Sequence, residues 1–77
     1  MLVGKIIVEF EDDKEAKLFY EALKPEELTA PSYRSKVKIS HDVNKLTIII
    51  NSKDVSSLRA SVNSFLRLLN VLGNLKL

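Results

Sequence analysis

Apolar residues alternate along residues 2–10 and predict a β-strand, because β-branched and aromatic side chains predominate there. With a side-chain period of two, the strand has two distinct faces. One face carries Leu2, Ile6, Val8 and Phe10, and the other carries Val3, Lys5, Ile7 and Glu9.

A short helix is predicted next, with Asp12 as its N-cap and Glu15 as the capping-box partner three residues later. Apolar residues then recur at i, i+3, i+4 and i+7, and these are Ala16, Phe19, Tyr20 and Leu23. We expect the helix to stop at Lys24, because Pro25 forces the preceding residue away from helical angles. Residues 26–33 form the only loop of any length.

The following segments predict a β-hairpin. Residues 34–40 alternate basic and small polar residues with Ser35, Val37 and Ile39. Residues 41–44 form the turn and residues 45–51 the return strand. That strand carries Leu46, Ile48 and Ile50 on one face and Ile49 on the other. Because it is the most apolar strand, we expect it in the middle of the sheet.

A long helix is predicted from Val55 to near the end of the chain, after a cap at Ser52 or Asp54. Its core stripe consists of Val55, Leu58, Val62, Phe65, Leu66, Leu69 and Leu72. Further apolar residues lie outside the stripe: Ala60, Leu68, Val71 and Leu75. We expect Gly73 and Asn74 to end or loosen this helix.

The final turns of that helix are apolar over much more than the ~100° stripe that a single sheet covers. A chain of 77 residues offers too little second layer to bury the additional side chains. Exposed apolar patches of this kind mark protein interfaces. The sequence therefore favours association with another protein.

The order strand, helix, strand, strand, helix predicts an α+β two-layer sandwich. A right-handed crossover sets the first strand parallel to the second. If the third strand lies between them, the three-stranded sheet is antiparallel in the order 1-3-2, and both helices cover one face. Residues 1–77 then form a single domain.

Composition excludes several classes of site. The chain has no cysteine and one histidine, which removes disulfides and thiolate zinc sites and leaves no His-based metal site or triad. The acidic residues at 9–13 are best explained as helix-start charges. No glycine-rich phosphate loop is present. We therefore expect no cofactor, no metal and no enzymatic activity.

Localisation also follows from the sequence. No apolar run approaches the ~20 residues of a membrane span, and the strand pattern begins at once with no signal peptide ahead of it. We expect a complete, cytoplasmic chain with no membrane association.

Charge is unevenly distributed along the chain. Residues 1–30 carry eight acidic and four basic side chains, whereas residues 31–77 carry two acidic and eight basic ones. Arg34, Lys36 and Lys38 would project from one strand face about 7 Å apart, close to the spacing of phosphates along a nucleic-acid strand. The alternative is an edge strand that its lysines keep soluble.

Residues 58–66, LRASVNSFL, resemble the signature helix of the Pcc family, also called CTAG/Pcc. A second matching block consists of Ala16, Tyr20 and residues 23–26, and a third is the apolar strand at residues 46–50. The resemblance covers nearly the whole chain, and the order of the elements agrees.

The resemblance implies a non-catalytic, homodimeric subunit of the KEOPS complex, which makes threonylcarbamoyladenosine in tRNA. Family members dock their two helices on the large ATPase-fold subunit that performs threonylcarbamoyl transfer, and they help the complex to hold tRNA. The alternative is a stand-alone nucleic-acid-binding module or a transcription-associated factor that uses the basic strand, with Lys45 and Lys53 as further contacts.

Candidate interaction residues follow from this mapping. Partner binding is assigned to Phe19, Tyr20, Arg59, Asn63, Leu66, Leu69 and Val71. Nucleic-acid binding is assigned to Arg34, Lys36 and Lys38. For the homodimer, Val3, Ile7 and Ile49 on the far face of the sheet are candidates, as are the free strand edges.

Overall fold

A computed structural model describes the backbone of residues 1–28 and 35–75, with side chains as far as Gly73. The elements are β1 (Leu2–Glu9), α1 (Asp13–Leu23), a 3₁₀ helix (Lys24–Glu27), β2 (Ser35–Asp42), β3 (Lys45–Ser52) and α2 (Val55–Leu75).

The three strands form an antiparallel sheet in the order β1-β3-β2, which confirms the predicted topology. The apolar strand β3 lies in the middle, as its composition indicated. Ile48 of β3 is paired with Ile6 on one side and with Ile39 on the other. These three side chains therefore share one face of the sheet.

Both helices cover that same face. The buried core joins Leu23 of α1 and Phe65 of α2 to the sheet residues Ile39, Leu46, Ile48 and Ile50. α1 lies against β2 and β3, whereas α2 lies mainly against β3 and β1. The opposite face of the sheet has no covering layer among the described residues, so the fold is the predicted two-layer α+β sandwich.

The hairpin turn is shorter than predicted. Only Val43 and Asn44 form it, because Asp42 and Lys45 are already paired across the strands. His41 therefore belongs to β2. Asn44 fixes the turn against the end of β1: its backbone oxygen accepts from the N–H of Phe10, and its side-chain amide donates to the Phe10 carbonyl, both at 2.8 Å.

Both ends of α1 lie where predicted, but the reason given for its C-terminal end is wrong. The carboxylate of Asp12 accepts the N–H of Glu15 at 2.8 Å. Lys24, however, keeps helical angles (φ −54°, ψ −42°) despite the proline that follows. The chain tightens there into the 3₁₀ helix, where Pro25 occupies a first-turn position that needs no N–H donor.

Helix α2 is capped by Asp54, whose carboxylate accepts the N–H of Ser57 at 2.7 Å. Ser52, the other candidate cap, is the last residue of β3. Gly73 and Asn74 do not end the helix, because α2 continues through them to Leu75. The backbone of Gly73 has no positive φ, so it does not adopt the left-handed conformation that ends many helices.

The core stripe of α2 is rotated relative to the prediction. Val55 and Leu66 are 58% and 49% exposed, whereas Leu68 packs against the core. The residues that face the sheet are Leu58, Ser61, Val62, Phe65, Leu68, Leu69 and Leu72. This spacing of three and four is that of one helix face, and it includes a fully buried serine that an apolar pattern does not reveal.

Candidate interaction surfaces

The outward side of α2 carries exposed apolar side chains between polar ones. At about 100° per residue, Leu66, Arg59 and Asn63 lie within about 60° of one another around the helix axis. All three are exposed. Val71, 50% exposed, lies on the other flank of the outward side. We call these four residues the outer face of α2.

The remaining residues assigned to partner binding already have contacts within the chain. Leu69 packs against the core. The Phe19 ring lies 4.7 Å from that of Phe10, and the Tyr20 ring stacks on that of His41 at 4.9 Å. Phe19, Tyr20 and Leu69 are half-buried and lie beside the outward surface rather than on it.

Helix α1 contributes a residue that the sequence analysis missed. Leu18 is 66% exposed and lies outside the apolar stripe of α1. The sequence could have indicated this exposure, because Leu18 is an apolar residue outside a stripe that already fills the core-facing side of α1. The two helices thus each present an exposed leucine to solvent.

The open face of the sheet gathers lysines from both outer strands. Lys36 and Lys38 are exposed on β2, as predicted, and Arg34 lies outside the described residues. Ile49 of β3 is paired with Lys38 on one side and with Lys5 of β1 on the other. Lys5 was missed because a strand register, not a local pattern, brings it into this row.

The apolar part of this face agrees with the residues considered for a homodimer. Val3 and Ile7 are 61% and 56% exposed, and Ile49 is half-buried between them and β2. At the hairpin end of the same face, Glu9, Lys45 and Asp42 form one row across the sheet. The excess of positive charge is therefore concentrated at the other end.

The outer edge of β2 is occupied by side chains of the 3₁₀ helix. The Glu27 carboxylate accepts the N–H of Ile39 and is paired with the Lys24 ammonium at 2.9 Å. The ammonium also donates to the Ile39 carbonyl at 3.4 Å. The bond from Lys24, followed by that from the Ile39 N–H, lowers the pKa of Glu27 below its ordinary value. The bond to Glu27 raises the pKa of Lys24.

The described residues offer little else with chemical function. Within residues 1–28 and 35–75, no three His, Cys, Asp or Glu side chains come together as a metal site. Asp12 is engaged as a helix cap, and His41 is stacked on Tyr20. No helix in the described part of the chain is long and apolar enough to cross a membrane.

These features define a small open-sheet α+β domain that has exposed apolar residues on both helices and on the open face of its sheet. Comparison with known proteins finds a matching family and a similar relative. The family described as "Transcription factor Pcc1" matches residues 4–73. The KEOPS complex subunit Pcc1 of Pyrococcus abyssi (strain GE5 / Orsay) is 32% identical over 68 residues, which cover 88% of this chain and 83% of the relative. The chain belongs to the Pcc1 family.

Proposed function

We propose that this protein is a non-catalytic assembly subunit of a KEOPS complex in the cytoplasm. It forms a homodimer and docks its helices on the large ATPase-fold subunit, and so supports threonylcarbamoyladenosine formation in tRNA. Its relative in Pyrococcus abyssi is a KEOPS subunit. The observation that carries the proposal on this chain is the outer face of α2, where half-exposed Leu66 and Val71 flank Arg59 and Asn63.

The composition of this face suits a helix–helix contact. Leu66 offers apolar area that the chain's own sheet does not bury, because the other side of α2 already fills that role. Arg59 and Asn63 beside it supply hydrogen-bond donors that would fix the register of a partner helix. Leu18 extends the same layer on α1, with half-buried Phe19 and Tyr20 beside it.

Homodimerisation is assigned to a different part of the molecule, which leaves the helical layer free for the large partner. Val3, Ile7 and Ile49 form the apolar part of the open sheet face. Burial of these side chains against a second copy would remove apolar area from water without disturbing the core.

The proposal is tested by light scattering coupled to size-exclusion chromatography, on the protein alone and mixed with the ATPase-fold subunit. We expect the wild-type protein to be a dimer of its 8.7 kDa chain and to form a stoichiometric complex with that subunit. Leu66→Asp should keep the dimer and lose most of the complex, because it places a charge in the contact. Leu69 is unsuitable for this test, since it packs against the core.

The matched control is Val43→Asp. Val43 is 69% exposed in the hairpin turn, where aspartate tolerates a positive φ better than valine does. It makes the same apolar-to-acidic change away from both helices and should bind as wild type does. Normal binding by Leu66→Asp would exclude the outer face of α2 as the contact. A wild-type monomer that ignores the partner would refute the assembly role.

As an alternative to homodimerisation through the open sheet face, nucleic-acid binding is favoured by the lysines of that same face. Lys5, Lys36 and Lys38 reach one surface from two strands, beside exposed Val3 and half-buried Ile49. Phosphate contacts of this kind make affinity fall with salt, by a slope of about −0.7 per contact for single-stranded nucleic acid.

For this function we would measure tRNA binding against salt for Lys5→Ser/Lys36→Ser/Lys38→Ser. The expected result is weaker binding with the salt slope reduced by about 2. The control Lys14→Ser/Lys17→Ser/Arg67→Ser removes the same charge from exposed positions of the two helices. Equal losses in both variants would mean that only net charge matters.

A further inference from the structure

The strand β2 is an outer strand of the sheet, so half of its backbone hydrogen-bonding groups point away from β3. Asp42 and Lys45 close a two-residue hairpin and therefore exchange both hydrogen bonds. Hydrogen-bonded and non-bonded pairs alternate from there along an antiparallel ladder. Ile39 thus belongs to a non-bonded pair with Ile48, and both of its backbone groups face outward.

Both of these outward groups are taken by side chains of the 3₁₀ helix. Glu27 accepts the N–H of Ile39, and Lys24 donates to its carbonyl while paired with Glu27. The two charged groups stand where the carbonyl and N–H of a neighbouring strand would stand. The Glu27 side chain is only 18% exposed, so an incoming strand has no free approach to Ile39.

The side chain of the next residue with outward backbone groups, His41, packs against α1. His41 is two residues beyond Ile39, and the ring of Tyr20 stacks on it at 4.9 Å with an interplanar angle of 19°. Tyr20 also lies beneath the Lys24 ammonium, whose nitrogen is 5.4 Å from the ring centre. Tyr20 therefore links Lys24 to the hairpin end of β2.

We propose that Lys24 and Glu27, by occupying both outward backbone groups of Ile39, interrupt the edge of β2 against strand addition and leave β1 as the edge for β-sheet pairing with another chain. Unpaired edges are templates for intermolecular pairing, and proteins block them with charged side chains or covering segments. If the β1 edge of one copy paired with the β2 edge of the next, the contact would be heterologous and would continue into open chains. When the β2 edge is blocked, β1 can pair only with β1 of a second copy, and that pairing stops at two chains.

This inference does not rest on the proposed function, because its tests need neither a partner protein nor tRNA. The first test is the mass of Lys24→Ala/Glu27→Ala by sedimentation velocity over a twentyfold range of concentration. We expect species that grow with concentration, whereas the wild-type mass stays constant. The control Lys17→Ala/Glu21→Ala removes the same two charges from exposed positions of α1 and should behave as wild type.

The second test is amide hydrogen exchange in the wild type and in Glu27→Ala, followed by NMR. In the wild type we expect the Ile39 N–H to be protected although it lies outside the strand ladder. In Glu27→Ala its exchange should be at least tenfold faster, while the ladder amides of Lys38 and Ser40 keep their rates and so report an intact sheet. An unprotected Ile39 N–H in the wild type, or a double variant with the wild-type mass, would overturn the proposal.

Discussion

Gly4 of β1 lies directly under Leu58 of α2: a Cβ atom at residue 4 would be 2.9 Å from Cδ1 of Leu58 and 3.4 Å from Cγ2 of Val62. The absence of a side chain at Gly4 therefore permits α2 to pack closely on β1. The angle φ at Gly4 is not positive, so the requirement is for space and not for a special backbone conformation.

Substitution of Gly4 should accordingly lower the free energy of unfolding, and a larger side chain should lower it more. We expect Gly4→Val to lower the free energy of unfolding by about 1–3 kcal/mol, the usual cost of overpacking. Gly4→Ala should cost less, because only the flexible end of Leu58 must move and alanine restricts the unfolded chain. Urea denaturation of both variants measures this order. A Gly4→Val variant as stable as the wild type would show that α2 shifts away freely.

Gly73 presents the opposite case. It lies inside α2, and a Cβ atom there would meet nothing within 4 Å. Gly73→Ala should therefore stabilise the protein by up to about 1 kcal/mol, because glycine is the poorer helix former by that amount. Urea denaturation provides the measurement. A loss of stability would mean that the helix needs glycine there for another reason.

Ser61 is fully buried on the sheet-facing side of α2, and its hydroxyl has no hydrogen-bond partner among the described residues. An unsatisfied buried hydroxyl costs about 1–3 kcal/mol. We expect Ser61→Ala to raise the free energy of unfolding by about 1 kcal/mol, measured by urea denaturation. Unchanged or lower stability would indicate that the hydroxyl is satisfied by a water molecule.

A second pair of buried serines should respond in the opposite direction. The hydroxyls of Ser35 and Ser52 lie 2.7 Å apart across the strands, and both residues are buried. Ser52→Ala would leave the hydroxyl of Ser35 unpaired, so we expect a loss of about 1–3 kcal/mol in urea denaturation. The double substitution to alanine should recover part of that loss. Additive losses in the double variant would contradict the pairing.

The elements of this fold could be predicted from local patterns because strands and helices differ in apolar periodicity and because both helices have N-cap residues. Asp12 and Asp54 indicated where the helices begin. The order 1-3-2 followed from the right-handed crossover and from the apolar character of β3. The errors arose where tertiary contacts override local preference. Lys24 remains helical before a proline, since the bonds from it and Glu27 to Ile39 hold the 3₁₀ helix against β2.

The candidate surfaces were predicted only in part for a similar reason. Lys36 and Lys38 were apparent from alternation within one strand, but Lys5 joins them through the register with β3. The apolar excess of α2 was predicted correctly, but its division between core and surface was not. The buried side of the helix includes Ser61, and the side that carries Leu66 is exposed. A pattern of apolar residues cannot reveal a core position that is polar.

The ion pair of Glu27 should make stability depend on pH in a defined window. Its pKa is lowered from the ordinary 4.5 by Lys24, by the Ile39 N–H and by the charge of Lys38. The folded state therefore stabilises the ionised form of Glu27 relative to the unfolded state. This contribution is fully present above about pH 5, and it is lost as the pH falls through the lowered pKa of the folded state.

Glu27→Gln, which cannot titrate there, isolates this effect. In urea denaturations between pH 2.5 and pH 7, we expect the wild type to be more stable than Glu27→Gln above pH 5. The difference should shrink as the solution is acidified, because protonated Glu27 no longer attracts Lys24. Glu21→Gln, an exposed position on α1, controls for the loss of one carboxylate. A gap between wild type and Glu27→Gln that is equal at pH 3 and pH 6.5 would show that Glu27 contributes through its shape and not its charge.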